Sequence, residues 1–544
     1  MNCKIFLPLI TAFLLFLPTR VEATWPTTLE ENLPIEAAPD TNGTTPTALP
    51  YTNGSTLVIL NRSDIPKSFQ IIDKYGVVGD PQPLTDIFHY PTPDNPKVVS
   101  DGFGGAIAAW RIAWYEDSTG IWAQRIDAYG NRLWGNNGLR IFDEDLTDYN
   151  IGYDGAGGLL VSYGGDDGNI WAQRVDSTGQ ILWDQPYGIP VTASHYQQSM
   201  PEITHDGNGG AYLTWVDCRP PYGYDGATFI QKLDSDGNTV WSPNGIYVDF
   251  YNWVHKIIPD GQGGAIVNVG GGYAGHIVRI GPDGNTIWRR EEVTNNMAAQ
   301  MVKGDSDYFY IGFKDWHGNI VGQKMDIVQG NTYWPTFGSN AGALMELNDL
   351  HAFVIWDFCY KYPYFYGVFK MGDGPPDSDH WLYTQRLDSL GNRCWADSGV
   401  ALCHFYGGDF YAIKSVSCAP DPYGGIVGVC VVQYGAGDMD AYAKRCSGDG
   451  TLGGPFQNKE LPSMKVQLTG LSESLLQFNI LEAGNVNIDL YNLLGQHVKT
   501  IHNNYQQPGT HTTNIDQSSL SSGIYFLRLH TPTSSHVTKM VVVR

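Results

Sequence analysis

The sequence contains few basic residues, and this scarcity restricts the partners that the protein can bind. Its 544 residues include 33 lysines and arginines but 56 aspartates and glutamates, so the formal net charge at pH 7 is -23. A surface of this sign repels the phosphate groups of nucleic acids and suits a soluble protein outside the cell. We therefore expect no nucleic-acid partner.

Long apolar runs are absent after the first 23 residues. These residues combine Lys4, an apolar stretch from Ile5 to Pro18 and the small-residue site Val21-Glu22-Ala23, which is the pattern of a cleavable signal peptide. The apolar stretch is shorter than the roughly 20 residues of a membrane-spanning helix, although a membrane anchor is the alternative interpretation. We expect an exported chain whose mature part has no transmembrane span.

Cysteine is scarce, and no two cysteines have Cys-x-x-Cys spacing, so the sequence predicts no metal site of the structural zinc type. An oxidising compartment permits disulfides, but the spacing does not determine their pairing. The odd number outside the signal segment leaves at least one thiol without a partner within the chain. These cysteines are Cys218, Cys359, Cys394, Cys403, Cys418, Cys430 and Cys446.

Motifs that carry catalysis are missing as well. The sequence contains no HExxH, no GxSxG and no phosphate-binding P-loop, and nothing in it indicates a cofactor or a catalytic residue. Asp-Gly pairs such as Asp236-Gly237 lack the spaced ligands of a calcium loop and are typical of hairpin turns. The absence of these motifs favours a protein that is not an enzyme.

Glycine is plentiful, with 64 residues, and much of it belongs to an internal repeat of roughly 50 residues. In one copy the turn Asp101-Gly-Phe-Gly-Gly105 precedes an apolar strand, Gln124 to Gly130 follows, and Trp134 ends the unit. Other copies contain the turn residues Asp154, Asp206, Asp260 and Asp421, the glutamines Gln70, Gln173, Gln231, Gln323 and Gln385, and the tryptophans Trp183, Trp241, Trp288, Trp334 and Trp395. The last copy lacks its final tryptophan.

Each copy predicts four short strands, a to d, of which the last carries the tryptophan. A repeated four-stranded unit of this length is typical of an all-β fold, the β-propeller, which we place at residues 56–456. Counting the copies predicts eight blades, with seven as the alternative. Residues 24–55, rich in Thr, Pro and Asn, are interpreted as a flexible leader. The missing first strand of the ring is then expected from the chain after residue 454.

A different pattern begins near residue 462, where short strands alternate with turn residues and predict an immunoglobulin-like sandwich over residues 462–544. Characteristic segments are Val486 to Gly495, Pro508 to His511, Leu520 to Phe526 and Lys539 to Arg544. This region resembles the type A sorting domain of the type IX secretion system of Bacteroidota; a generic adhesive sandwich is the alternative. The resemblance implies the type IX secretion machinery as a partner. It also implies a secreted or outer-membrane surface location in a Gram-negative bacterium.

Candidate ligand-binding residues follow from the strand order of a blade. The a–b and c–d turns share one end of the ring, which we call the uniform rim because its sequences repeat. The b–c and d–a connections share the opposite end, the variable rim. Aromatic and charged residues in the predicted variable connections are Asp217, Arg219, Tyr222, Tyr224, Asp225, Tyr251, Trp253, His255, Tyr362, Tyr364, Tyr366 and His404.

Two hypotheses of function remain open at this stage. The first is a non-enzymatic binding module of the cell exterior whose variable rim engages an extracellular glycan or protein. The second is a secreted carbohydrate-active enzyme, similar to a glycosidase, that uses carboxylates on the same rim. A pair of carboxylates at that rim would favour the second hypothesis.

Overall fold

The computed structural model describes residues 25–29, 31–36, 47–60, 67–86, 96–112, 119–143, 148–183, 188–194, 196–223, 226–250, 254–271, 274–294, 300–304, 307–314, 320–334, 343–345, 356–371, 380–396, 399–405, 410–434, 438–453, 463–468, 473–480, 484–492, 497–507, 509–531 and 535–542. The predicted signal peptide lies outside these ranges. No helix within them is long and apolar enough to cross a membrane.

Nine antiparallel four-stranded sheets occur in the described part of the chain, and eight of them, numbered here as blades 1 to 8, precede residue 454. The strands are β1 (Leu33–Glu36), which belongs to blade 8; β2 (Thr47–Pro50), β3 (Thr56–Leu60), β4 (Ser68–Ile72) and β5 (Gln82–Pro83) in blade 1; β6 (Lys97–Ser100), β7 (Ala106–Ile112), β8 (Gly120–Ile126) and β9 (Leu139–Phe142) in blade 2; β10 (Asp148–Tyr153), β11 (Leu159–Gly164), β12 (Ile170–Val175) and β13 (Ile189–Pro190) in blade 3; β14 (Gln198–His205), β15 (Ala211–Asp217), β16 (Ala227–Leu233) and β17 (Ile246–Asp249) in blade 4; β18 (Val254–Pro259), β19 (Ala265–Gly271), β20 (Ala274–Ile280) and β21 (Thr286–Thr294) in blade 5; β22 (Gln300–Lys303), β23 (Tyr308–Lys314), β24 (Ile320–Asp326) and β25 (Ala343–Met345) in blade 6; β26 (Trp356–Lys361), β27 (Tyr364–Met371), β28 (His380–Leu387) and β29 (Val400–Phe405) in blade 7; and β30 (Phe410–Pro420), β31 (Ile426–Tyr434) and β32 (Asp438–Cys446) in blade 8. A short 3-10 helix, Thr52–Gly54, joins β2 to β3.

The blades form a closed ring. Every neighbouring pair of blades shares a hydrophobic cluster, and this includes the pair formed by blade 8 and blade 1. The first strands of successive blades contact one another, and β30 contacts β2, so these strands surround the ring axis. The predicted eight-bladed β-propeller is therefore confirmed, and the seven-bladed alternative is excluded.

Each Asp-Gly-x-Gly-Gly segment is a tight turn between the first two strands of a blade. In blade 2 the Oδ1 atom of Asp101 accepts the backbone N–H groups of Phe103 and Gly105, at 2.8 and 2.7 Å. A Cβ atom on Gly105 would lie 2.2 Å from the carbonyl oxygen of Ile126 in the third strand. The turn therefore needs both this aspartate and this glycine.

The same aspartates form buried ion pairs with a basic residue of the third strand. The Oδ2 atom of Asp101 accepts N–H groups from Nε and Nη2 of Arg125, at 3.1 and 3.0 Å. The Nη1 atom of Arg125 donates to the carbonyl oxygen of Ser177 in blade 3. Equivalent pairs are Asp154–Arg174, Asp206–Lys232, Asp260–Arg279 and Asp421–Arg445. These repeated charges hold turns and neighbouring blades together.

The repeated glutamine links the third strand to the segment that follows it. In blade 4 the Nε2 atom of Gln231 donates to the carbonyl oxygen of Ser242 at 2.9 Å. Its Oε1 atom accepts the backbone N–H groups of Lys232 and Trp241, at 2.9 and 3.0 Å. The same acceptor arrangement recurs at Gln124, Gln173, Gln323 and Gln385.

The repeated tryptophan joins each blade to the next. Trp134 precedes β9 rather than lying within it, which corrects the assignment of this residue to strand d. Its Nε1 atom donates to the carbonyl oxygen of Ser177, in the c–d turn of blade 3. Equivalent bonds are made by Trp183, Trp241, Trp288, Trp334 and Trp395. Because one such bond crosses each of these interfaces, the tryptophans are interpreted as structural.

The chain start, rather than the segment after residue 454, completes the ring. The first strand of blade 1 is β2, and β1 pairs with β32 as the outer strand of blade 8. Trp25 replaces the tryptophan that the last repeat lacks, and its Nε1 atom donates to the carbonyl oxygen of Lys74 in blade 1. These ordered contacts differ from the flexible leader expected for residues 24–55.

Seven further strands follow the propeller. They are β33 (Ser463–Leu468), β34 (Glu473–Ile480), β35 (Gly484–Asn492), β36 (His497–Gln506), β37 (Gly509–Asp516), β38 (Gly523–His530) and β39 (Ser535–Val542). They form a three-stranded and a four-stranded sheet that share one hydrophobic core, which includes Phe478, Ile488 and Leu527. The predicted sequence of short strands is thus a two-sheet sandwich.

The sandwich contacts the uniform rim of blade 2. The ring of Phe103, in the a–b turn, lies edge-on to the ring of Tyr491 with 5.4 Å between the centroids. The guanidinium group of Arg528 lies 5.9 Å from the centroid of the Phe103 ring. The uniform rim therefore carries both the repeated turns and a contact with the C-terminal domain.

Candidate functional site

The predicted b–c connection of blade 4 lies at the variable rim. Asp217 is the last residue of β15, and Arg219 and Tyr222 belong to the connection that follows it. Tyr224, Asp225, Tyr251 and Trp253 lie outside the described residues. His255 lies in β18, but its side chain is not among those described.

The segment Phe358 to His380 is not a single b–c loop. It contains most of β26 and all of β27, and Tyr362 lies in the a–b turn between them, on the uniform rim. This turn lacks the Asp-Gly-x-Gly-Gly sequence, so the repeat did not reveal it. Tyr364 begins β27 beside this turn, and Tyr366 is buried in the interface with blade 8. The placement of these three tyrosines on the variable rim was wrong.

His404 lies within β29 rather than in the connection after it. Its ring stacks on Trp381 of β28, with 3.6 Å between the ring centroids and an angle of 9° between the planes. Since the His404 side chain is only 8% exposed, it stabilises blade 7 and offers little surface to a ligand.

An ion pair between Asp217 and Arg219 organises the connection of blade 4. The Oδ2 atom of Asp217 accepts N–H groups from Arg219, from Gln198 at 2.7 Å and from Trp215 at 3.2 Å. Burial alone would raise the pKa of Asp217, but the hydrogen bonds from Arg219 and Trp215 and the charge of Arg219 together lower it. The guanidinium group of Arg219 lies 4.0 Å from the centroid of the Phe229 ring.

Beside this ion pair lies an aromatic patch formed by Tyr222, Tyr247 and Phe250. The rings of Tyr222 and Tyr247 stack, with 5.3 Å between their centroids and 9° between their planes. Tyr247 and Phe250 are 43% and 51% exposed, whereas Tyr222 is half-buried against Phe229. The patch thus leaves much of Tyr247 and Phe250 exposed to solvent beside the half-buried Tyr222.

Charged groups border the aromatic patch at the interface of blades 4 and 5. The Oδ2 atom of Asp249 lies 2.8 Å from Nδ1 of His276 and 2.9 Å from Nη2 of Arg289. Burial raises the pKa of Tyr247, as do the charges of Asp249 and Tyr222, while Arg289 opposes the shift. Arg289 also pairs with Glu291, which is largely exposed. A ligand on the patch would therefore meet a cation and a carboxylate at its edge.

A second group of charges lies closer to the ring axis, in the first strands of blades 3 to 5. Asp148 begins β10, and burial raises its pKa; the charge of Lys97 and the N–H group of Met200 oppose the shift, while Glu202 adds to it. Glu202 pairs with Lys256 at 2.5 Å. Met200 has a φ of 54° at a bulge in β14, an uncommon conformation for a residue with a side chain.

Several of these residues were not among the site residues predicted from the sequence. Tyr247, Asp249 and Arg289 belong to outer strands and not to the connections from which the candidates were chosen. The carboxylates Asp148 and Glu202 are in different blades. Only the folded ring brings them together. No group of three or more metal-ligating side chains occurs among the described residues.

The fold is that of an eight-bladed β-propeller followed by a C-terminal β-sandwich. Residues 474–543, within this sandwich, match the family model of the secretion system C-terminal sorting domain. The match confirms the resemblance inferred from the segment's sequence, and it implies export to the cell surface or secretion. No curated protein matches the chain.

Several solved structures resemble the chain at low sequence identity. The BP39L lectin from Burkholderia pseudomallei is 12% identical, with a TM-score of 0.43 over 67% of this chain and 99% of the lectin. An alpha-L-arabinanase from Penicillium chrysogenum is 14% identical, with a TM-score of 0.32 over 56% of this chain and 100% of the arabinanase. Prolyl oligopeptidase B from Galerina marginata is 10% identical, with a TM-score of 0.39 over 73% of this chain and 56% of the peptidase.

Proposed function

We propose that the protein is a non-enzymatic binding module of the cell exterior that engages an extracellular glycan through the variable rim of blades 4 and 5. The observation that carries this proposal is the aromatic patch, which is exposed and bordered by charges. In this account type IX-like sorting delivers the propeller to the outer-membrane surface of a Gram-negative bacterium or releases it from there.

The chemistry of the patch supports a sugar ligand. Aromatic faces stack on the apolar faces of sugar rings, and charged groups at the edge hydrogen-bond to hydroxyl groups. Tyr222 and Tyr247 supply parallel ring planes, and Arg289 and Glu291 supply the polar edge. The ion pair of buried Asp217 and partly exposed Arg219 holds the connection in place, so binding orders few additional groups.

The two rims differ in a way that supports the choice of face. On the uniform rim, aspartate side chains and turn N–H groups are committed to the repeated turns. The contact of Phe103 with the sandwich occupies a further part of it. The exposed aromatic patch lies on the opposite end of the ring.

A glycan array and a protein array probed with the mature protein test this proposal. We expect glycan binding by the wild type, loss of that binding in Tyr247→Ala, and wild-type binding in Tyr129→Ala. Tyr129 is 71% exposed in a c–d turn of the uniform rim, so it is a matched control. Glycan binding that persists in Tyr247→Ala contradicts the proposal, as does binding to the protein array alone.

The carboxylates near the ring axis favour a second candidate function, hydrolysis of a polysaccharide. A carboxyl group whose pKa is raised suits a general acid, and a neighbouring ionised carboxylate suits the complementary role. Burial raises the pKa of Asp148, and the carboxylate of Glu202 interacts with it electrostatically. Met200, whose N–H group hydrogen-bonds to Asp148, belongs to the same strand as Glu202 and has a positive φ. Uncommon backbone conformations of this kind often occur at functional sites.

Release of reducing sugars from polysaccharides by the mature protein distinguishes the two functions. Hydrolysis that is lost in both Asp148→Asn and Glu202→Gln, but retained in Asp143→Asn, would establish the enzyme. Binding without any product, or hydrolysis that both substitutions leave unchanged, excludes this pair as catalytic residues.

A further inference from the structure

Two cysteine sulfur atoms meet at the interface of blades 7 and 8. Cys359 lies in β26 and Cys418 in β30, which are the first strands of these neighbouring blades. Their Sγ atoms are 3.0 Å apart. Cys418 is buried, whereas Cys359 is partly exposed to solvent.

The backbone around this pair is held in place by the partly buried carboxylate of Asp357. The Oδ2 atom of Asp357 in blade 7 accepts the backbone N–H group of Cys418 at 2.8 Å and the hydroxyl group of Ser417 at 3.2 Å. These bonds fix β30 against β26 beside the two sulfurs. A disulfide has an S–S length of about 2.05 Å, so the atoms need to approach by only about 1 Å.

The destination of the protein makes oxidation of this pair expected. The matched sorting domain implies export, and disulfides form and persist in oxidising compartments outside the cytoplasm. We propose that Cys359 and Cys418 are joined by a disulfide in the exported protein. The cross-link ties blade 7 to blade 8, the blade that the chain start closes.

The oxidant of this reaction is a disulfide of a thiol–disulfide oxidoreductase. The Cys359 thiolate attacks it, forms a mixed disulfide and releases one thiolate of the oxidant. The Cys418 thiolate then attacks the Cys359 sulfur and expels the second thiolate. Two cysteine thiols thus lose two protons and two electrons, and the oxidant becomes a dithiol. Because burial raises the pKa of both thiols, we expect the reaction before blade 8 closes.

Other cysteines provide the controls. The Sγ atoms of Cys394 and Cys446 lie near backbone carbonyl oxygens, at 3.9 and 3.6 Å. Cys218 lies in blade 4, far along the chain from the other six. Cys403 and Cys430 contact each other within the same interface of blades 7 and 8. A disulfide between Cys359 and either of these two cysteines is therefore the alternative pairing, and peptide mapping distinguishes it from the proposed one.

Peptide mapping of the exported protein tests the disulfide. The protein is collected from the medium or cell surface, alkylated in denaturant without reduction, and digested. We expect a peptide pair that links Cys359 to Cys418 and that separates after reduction. Singly alkylated Cys359 and Cys418 in most molecules would overturn the proposal, and so would a link from either residue to another cysteine.

Thermal unfolding gives an independent test. Addition of dithiothreitol is expected to lower the melting temperature of the wild type and of Cys218→Ser by the same amount. The decrease is expected to be smaller in Cys359→Ser, because that variant has no such bond to reduce. Equal decreases in Cys359→Ser and Cys218→Ser contradict the proposal.

Discussion

The indole N–H group of Trp25 donates to the carbonyl oxygen of Lys74, at 3.1 Å. This bond joins the chain start to the c–d turn of blade 1, as the bond from Trp395 to Gly448 joins blade 7 to blade 8. Trp25 is 4% exposed and packs with Val429 and Ile72 in the cluster between blades 8 and 1. The first residues after the predicted signal peptide therefore close the ring.

Replacement of Trp25 by alanine is expected to destabilise the propeller. Removing a buried tryptophan side chain costs about 3 to 5 kcal/mol, since it leaves a cavity and removes apolar contacts. Chemical denaturation measures the free energy of unfolding, and Trp134→Ala is the matched control inside the ring. A large loss for Trp134→Ala with none for Trp25→Ala would show that the chain start does not close the ring.

Replacement of Gln231 by alanine is expected to destabilise blade 4 by about 1 to 3 kcal/mol. The substitution removes the partner of one buried N–H group, that of Trp241, and of a partly buried N–H group and carbonyl oxygen. A buried group without a hydrogen-bond partner destabilises the folded state. Gln180→Ala changes the same residue type at an exposed position and is expected to leave stability unchanged. Equal stabilities of the two variants in denaturant titrations would refute the structural role of the repeated glutamine.

The buried pair of Asp260 and Arg279 is expected to show strong coupling. Arg279→Met leaves the Asp260 carboxylate buried without its cation, which costs about 3 to 5 kcal/mol. Asp260→Asn retains an oxygen for the turn N–H groups of Gln262 and Gly264. In a double-mutant cycle, the double variant should lose less stability than the sum of the single losses. Additive losses would show that the two side chains act independently.

Asp217 is expected to make stability depend on pH at acid values. Its pKa in the folded protein is below the ordinary value of 3.8, so the ionised form is stabilised by folding. The contribution is present above the unfolded pKa and is lost as the pH falls through the lowered folded pKa. The stability difference between wild type and Asp217→Asn should therefore shrink on acidification. A constant difference, or the same profile in Asp236→Asn at an exposed turn, would contradict this assignment.

The sequence repeat was sufficient to predict most of the fold. The repeat period, the turn residues and the recurring glutamine indicated four-stranded blades. The predicted number of blades, eight, was correct. Closure was not predictable in this way, because Trp25 and β1 lie at the opposite end of the chain from the blade that they complete. The a–b turn at Tyr362 was misplaced because blade 7 lacks the repeated turn sequence.

The candidate site was only partly predictable for a related reason. Asp217, Arg219 and Tyr222 stand out because their connection interrupts the repeat. Tyr247 and Arg289 do not, since nothing in an outer strand indicates which side chains face a neighbouring loop. Proximity across strands and blades is a property of the closed ring.

Isothermal titration with a glycan identified on the array tests the proposed binding face most directly. We expect an affinity about tenfold weaker or more for Tyr247→Ala than for the wild type, because the substitution removes a stacking surface. We expect an unchanged affinity for Tyr129→Ala on the uniform rim. An unchanged affinity for Tyr247→Ala together with a weakened affinity for Tyr129→Ala would place the binding face on the opposite end of the ring.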